Sequence, residues 1–412
     1  MPPRRGSAGV RVDAPFQELG SSGNERKAFS SQEMAFSGRP AARGSTAALV
    51  GRVACVLVLT GLGCATARGP LIRTARPPSA EERYCAWFAD EAAGVLYFGE
   101  APFWSAHAAA NRNPIADPAL TGPQEIGRFD LATESLLPPL AIAPSGERSG
   151  TWDVLAAGGR VYFTSLYDRA GYVELATGRV HRFGPDSEGL NELAQGPDGR
   201  ILATRYFAEA TQAGSVVWLD AEGAIEAELF LAPSPGVRPA AKSLAWDPGR
   251  EEIWVNTDLF PEVGQSVGHD VRVLDRAGRE LLRFEEPEVQ FMVFAVDGTG
   301  WLAERSGATF AMRHLPASET RRPPEGGTRI VVDGRFPPAL DFVQDVTLAP
   351  DGSCLATRWG GWLHRVWSDG RVVSRRLPDP GAGGLYYTGV VRGERVCATL
   401  CADVSVVCED LR

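Results

Sequence analysis

Lysine is nearly missing from this chain. Of 42 basic residues only Lys27 and Lys242 are lysine, and the rest are arginine. Standard catalytic signatures are missing too. There is no Gly-x-Ser-x-Gly, His-Glu-x-x-His, P-loop or Gly-x-Gly-x-x-Gly, which removes nucleophile-elbow hydrolases, zincins and the common nucleotide binders. The seven cysteines include no Cys-x-x-Cys, and the five histidines (His107, His181, His269, His314, His364) have no ligand spacing to a cysteine, so nothing points to zinc. No segment keeps a 3.6-residue period, which excludes a helical solenoid. Basic charge is scarce in the body of the chain. Residues 64–412 hold 34 Lys+Arg against 47 Asp+Glu, a net of about −13. Such a body is unsuited to nucleic acid, whose phosphates need a basic surface.

The apolar runs are short. The most telling one, Val53 to Gly63, follows Arg39, Arg43 and Arg52 and ends in small residues before Cys64. It falls well below the ~20 residues of a membrane span, and one-sided charge with a small-residue exit is the layout of a secretory signal. A buried core strand is the alternative. Gly61-Leu62-Gly63-Cys64 resembles the lipobox of bacterial lipoproteins, which implies acylation of Cys64 and a place in the cell envelope, on the periplasmic side or the surface. The expected organisation is a disordered extension or mis-assigned start over 1–33, with Met34 as the start, then a signal peptide over 34–63. A tether over 64–80 and one folded domain over 81–412 follow.

With Cys55 and Cys64 set aside, five cysteines remain: Cys85, Cys354, Cys397, Cys401 and Cys408. Export permits disulfides, and an odd number leaves at least one thiol free or paired externally. Cys397 and Cys408 are symmetric about a turn at Ala402-Asp403. A hairpin there sets them opposite each other at a separation a disulfide spans, so this pair is expected to be bonded.

The body is repetitive. Leu193-Ala-Gln-Gly-Pro-Asp-Gly-Arg-Ile-Leu-Ala-Thr204 and Val346-Thr-Leu-Ala-Pro-Asp-Gly-Ser-Cys-Leu-Ala-Thr357 are near copies. Leu244 to Val255, Phe294 to Ala303, Val154 to Phe163, Val390 to Cys397 and Ala86 to Phe98 are weaker ones. Each reads as strand, tight turn, strand. A second turn recurs as Glu174 to Gly178, Asp220 to Gly223, Asp275 to Gly278 and Ser368 to Gly370. The first-turn glycines Gly94, Gly159, Gly199, Gly249, Gly298, Gly352 and Gly393 are spaced by 65, 40, 50, 49, 54 and 41 residues. Those intervals bracket the ~40–50 residues of a four-stranded propeller blade. The expected fold is therefore an all-β propeller of seven blades, with six plus an irregular unit as the alternative. The last blade ends after a third strand near Asp410, so the segment Leu71-Ile-Arg-Thr74 is the candidate strand that closes the ring.

Aligning the repeats on the turn glycine places one residue per blade just before the inner strand: Trp87, Asp153, Glu192, Ser243, Phe291, Asp345 and Tyr386. Beside them stand Asn191, Lys242, Gln290 and Gln344. Three carboxylates at one channel mouth repel unless a cation neutralises them. The candidate metal set is Glu192, Asp345, Asp153 and Asn191. The loop Asp186-Ser-Glu188-Gly-Leu-Asn191-Glu192 is rich in the hard oxygens calcium prefers. Loops between second and third strands open on the same face and add Glu100, His107, Asp168, Glu304 and Arg305. From these loops Arg205, Asn256, Asp258 and Arg358 join Lys242 as the candidate ligand-binding set.

The Leu-Ala-x-x-Pro-Asp-Gly inner turns and the Asp-x-x-Gly outer turns, over roughly residues 150–375, resemble those of gluconolactonase-like, calcium-dependent propellers. That resemblance implies a divalent cation in the channel held by Glu and Asn/Asp side chains, for which Glu192, Asp153, Asp345 and Asn191 are the counterparts. Where that family opens on Glu-Gly-Pro, this chain has Trp87-Phe-Ala-Asp90. Two functions follow as expectations. One is a monomeric envelope lipoprotein whose propeller binds a protein or small ligand at one channel mouth. The other is a metal-dependent lactone or ester hydrolase. Changing Cys64 to Ser should leave an unprocessed, unlipidated precursor, read by mass spectrometry of the membrane fraction; an unchanged mature form would refute the lipobox.

Overall fold

Seven Gly-containing turns fold the chain back on itself, and each resulting hairpin is the inner pair of a four-stranded antiparallel blade. The computed structural model describes residues 72–73, 84–102, 124–142 and 151–411, apart from 166–167, 207–212, 263–265, 286, 324, 334–342, 359–360, 379–384 and 402–404. The signal, Cys64, His107 and most of the 99–125 loop lie outside the described residues.

Blade 1 comprises Tyr84–Ala92, Val95–Pro102, Gln124–Asp130 and Ser135–Ile142. Blade 2 comprises Val154–Ala157, Arg160–Ser165, Asp168–Glu174 and Val180–Arg182. Blade 3 comprises Leu190–Gln195, Ile201–Arg205, Ser215–Leu219 and Ile225–Phe230. Blade 4 runs through Arg238–Asp247, Glu252–Phe260, Gly268–Asp275 and Glu280–Phe284. Blade 5 runs through Glu288–Phe294, Gly300–Ser306, Thr309–Leu315 and Thr328–Asp333. Blade 6 runs through Val343–Leu348, Cys354–Arg358, Trp362–Val366 and Val372–Arg376. Blade 7 takes three strands from the C-terminus, Leu385–Arg392, Arg395–Cys401 and Ser405–Asp410, and its fourth from the N-terminal segment. That fourth strand is Ile72–Arg73, with Ile72 opposite Val406 and Arg73 opposite Ser405. The expected closing strand is thus in place.

The core is a ring of layers between blades. Seven apolar clusters match the seven interfaces. The cluster between blades 3 and 4 packs Leu202, Val216 and Trp218 on Leu244, Trp246 and Ile253. The one closing the ring packs Leu96, Phe98 and Phe129 of blade 1 on Cys397, Val406 and Cys408 of blade 7. A single blade exposes both apolar faces, so no blade is stable without its neighbours. Cys397 and Cys408 are register partners, 4.1 Å apart at Cα, and form a disulfide. Cys354 is a buried free thiol.

Six of the seven inner-turn glycines take positive φ, which only glycine adopts cheaply. Gly249 is the exception; in its turn the left-handed residue is Glu251, at φ 54. Gly249 is needed for proximity instead. A Cβ there would lie 2.9 Å from the Cα of Gly298, the turn glycine of the next blade.

Candidate functional site

Inner strands of a propeller start at one face, and their second strands end there, so these two kinds of residue share a mouth. Six of the seven inner strands break register near that start. The breaks fall between Ala86 and Ala89, Leu190 and Leu193, Ala241 and Ser243, Val289 and Phe291, Val343 and Asp345, and Tyr386 and Gly389. A β-bulge re-aims the side chains it carries. The bulged residues include Glu192, which the repeat alignment marks, and Asn191, Lys242, Gln290 and Gln344, which stand next to the aligned positions.

Three aspartates on blades 1, 2 and 6 tie one blade to the next. Asp90 accepts from Glu91 N at 2.8 Å and from Ala156 N of blade 2 at 2.9 Å. Asp153 accepts from Val154 N at 2.8 Å and from Leu193 N of blade 3 at 2.6 Å. Asp345 accepts from Val346 N at 2.8 Å and from Thr388 of blade 7. Thr388 in turn accepts from Ala89 N of blade 1. Asn256 donates to Gln290 O, and Gln290 Oε1 accepts from Val343 N, linking blades 4, 5 and 6.

These carboxyls converge on the axis. Burial pushes Asp153 up to about 8, its two backbone donors pull it down, and the charges of Asp345 and Asp90 add to the rise. Burial pushes Asp345 up to about 7, and burial also raises Asp90. Glu192 is held well above the ordinary carboxylate range by burial first, then by Asp153 and Asp345, with Lys242 opposing. Asp153 and Asp345 stand on blades 2 and 6, which are not neighbours, so they meet only across the centre. Glu192 differs from the aspartates. Among the described residues its carboxylate makes no hydrogen bond or ion pair, and the residue keeps partial contact with solvent. It therefore lines the channel and has no tie to hold.

Beside this ring runs a polar chain over blades 3 to 5. Lys242 Nζ lies 3.9 Å from Asp258. Asp258 also receives Tyr206 Oη at 2.9 Å and contacts His269 Nδ1 at 2.8 Å. His269 Nε2 is 3.9 Å from Glu288, which lies 3.4 Å from Arg305. Burial opposes ionisation of Asp258, yet Lys242 and His269 hold it down to about 2. Aromatic rings meet nearby. Phe88 of blade 1 lies 5.8 Å from Trp152 of blade 2, 6.3 Å from Phe291 of blade 5 and 5.7 Å from Tyr387 of blade 7. Blades 1 and 5 can touch only across the centre.

The structure thus brings together Asp153, Glu192, Asp345, Lys242 and Asp258, with Asn191 and Asn256 buried at the same mouth. Asn191 Oδ1, Asn256 Oδ1 and Ser243 Oγ are buried there without a hydrogen-bond partner. Other candidates are engaged elsewhere. Arg205 donates to the carbonyls of Asp186 and Glu188, in the acidic loop, and pairs with Glu228. Arg358 is buried with its guanidinium over the Phe310 ring at 5.0 Å. Asp168 faces Arg182, and Glu304 is held by Arg313 and Arg329. No group of three or more His, Cys, Asp or Glu among the described residues is arranged to hold a metal ion. No protein-family model matches the chain, and no curated protein matches it.

A carboxyl whose pKa rises on folding takes up a proton, so its stabilising contribution is complete at low pH and is lost as pH climbs through the folded value. Changing Glu192 to Gln mimics the protonated form and removes no hydrogen bond. In urea denaturation the variant's advantage over the parent should be smallest near pH 4, below the ordinary glutamate value, and should grow as pH rises to 8.5. A less stable variant at pH 8.5 would show that the ionised Glu192 is held by a partner.

Proposed function

We propose that this chain is an envelope-anchored binding propeller that takes a small, positively charged ligand at the mouth built by the bulged inner strands. One observation carries the reading. Four carboxyls, Asp90, Asp153, Glu192 and Asp345, crowd the axis near a single ammonium, Lys242, which is already beside Asp258. One of the four, Glu192, has no structural partner. A cation seated there removes the mutual repulsion and lets the carboxyls ionise. The adjacent aromatic rings offer faces that favour an organic cation. The acidic body argues against nucleic acid. Anchoring would come from Cys64, and a monomer suffices because the site lies within one ring.

The metal-dependent hydrolase is the second reading, and the buried acceptors Asn191 Oδ1 and Asn256 Oδ1 favour it. Amide oxygens and carboxylates are the ligands calcium takes. A cation held there would polarise a lactone or ester carbonyl.

Titration calorimetry with calcium chloride and with a panel of primary and quaternary amines, at pH 6 and pH 8, separates these. Binding of either kind should tighten as pH rises, since protons leave carboxyls raised to about 7 and about 8, and Glu192→Gln should weaken it at least tenfold. Amine binding supports the binding module. Calcium binding followed by lactone turnover supports the hydrolase. No response to either class overturns the cationic site.

A further inference from the structure

Ring closure rests on little hydrogen bonding. The N-terminal closing strand has only two residues. The first and last blades meet a second time, at the mouth, where the inner strand of blade 1 reaches the second strand of blade 7. That meeting is a single antiparallel pair of residues, and both are cysteine: Cys85 opposite Cys401. The pair merges the two blades into one eight-stranded sheet.

We infer that Cys85 and Cys401 form a second disulfide, which joins the two ends of the propeller covalently. Three facts point to it. Directly opposed residues of an antiparallel pair lie about 4.5–5.5 Å apart at Cα, inside the range a disulfide spans. The other cysteines are spoken for, because Cys397 is bonded to Cys408 and Cys354 is a buried thiol in the core between blades 5 and 6. The position also explains the odd number: five cysteines in the folded body make two bonds and leave Cys354 over. The inference assumes an oxidising compartment, as the signal segment implies, and is independent of the cationic site.

The bond forms by exchange with the disulfide of a thiol–disulfide oxidoreductase. One cysteine thiolate attacks a sulfur of that disulfide and gives a mixed disulfide. The second thiolate displaces it, and the oxidoreductase leaves as a dithiol carrying both electrons and, after protonation, both protons. Because the bond encloses nearly the whole propeller, it removes far more freedom from the unfolded chain than the eleven-residue separation closed by Cys397 and Cys408.

Peptide mapping of the exported, full-length protein tests this. The protein is unfolded in acid, alkylated without reduction, and cut by chymotrypsin after Leu400 and by an Asp-specific protease before Asp403, which separates Cys397, Cys401 and Cys408. The expected product is the Cys85 peptide linked to the Cys401 peptide, beside one alkylated thiol at Cys354. Alkylation of Cys85 and Cys401 without reduction, or linkage of either to Cys397 or Cys408, would overturn the assignment. In a Cys85→Ala variant Cys401 should become alkylated and the melting temperature should fall by several degrees. If that variant fails to fold, the parent map alone decides.

Discussion

Apart from the single Cys85–Cys401 pairing in blade 1, the inner strand of each blade has, among the described residues, one edge with no strand paired to it, and that edge faces the axis. Unpaired backbone donors away from bulk water are costly, so the ring needs side chains that reach from one blade to the next. Asp90, Asp153 and Asp345 do this with one carboxyl oxygen on their own blade and a second contact on the neighbour. Thr388, Asn256 and Gln290 do it with neutral groups. The seven apolar layers hold the faces of the blades together, while these polar ties fix their inner edges.

That solution creates the electrostatic condition of the mouth. Acidic ties on blades 1, 2 and 6 bring their charges to one point, because a ring has one centre. Backbone donors favour the ionised form of each, burial and like charge oppose it, and burial wins at Asp153 and Asp345. Glu192 adds a further carboxyl that ties nothing. Lys242, the lysine of the folded body, sits where its charge reaches both Glu192 and Asp258. The mouth is thus built from structural ties, and the crowding of carboxyls there follows from their number.

The blade pattern was readable because the inner turns are local. All seven turn glycines fall between the first two strands of a blade, and Cys397 and Cys408 are opposed as a hairpin requires. The ring of Asn191, Glu192, Lys242, Gln290, Gln344 and Asp345 was readable because the bulge recurs at nearly one distance from the turn. Asp90 was hidden because counting back from Gly94 lands on Trp87, before the bulge ends. Tyr206, His269 and Glu288 were hidden because the polar chain they form, with Tyr206 and His269 on Asp258 and Glu288 on His269, crosses three blades. Nothing in the residues of the acidic loop at Asp186 shows that Arg205, seventeen and more positions later, donates to its carbonyls.

Carbon-13 NMR of the side-chain carboxyls, followed against pH in the unliganded protein, measures the crowding at the axis directly. The account predicts carboxyl resonances that titrate between about pH 6 and 9, from Asp345 and Asp153, and the loss of a further high-titrating resonance when Glu192 becomes Gln. A titration in which every carboxyl ionises below about pH 5, the ordinary range for exposed groups, would contradict it.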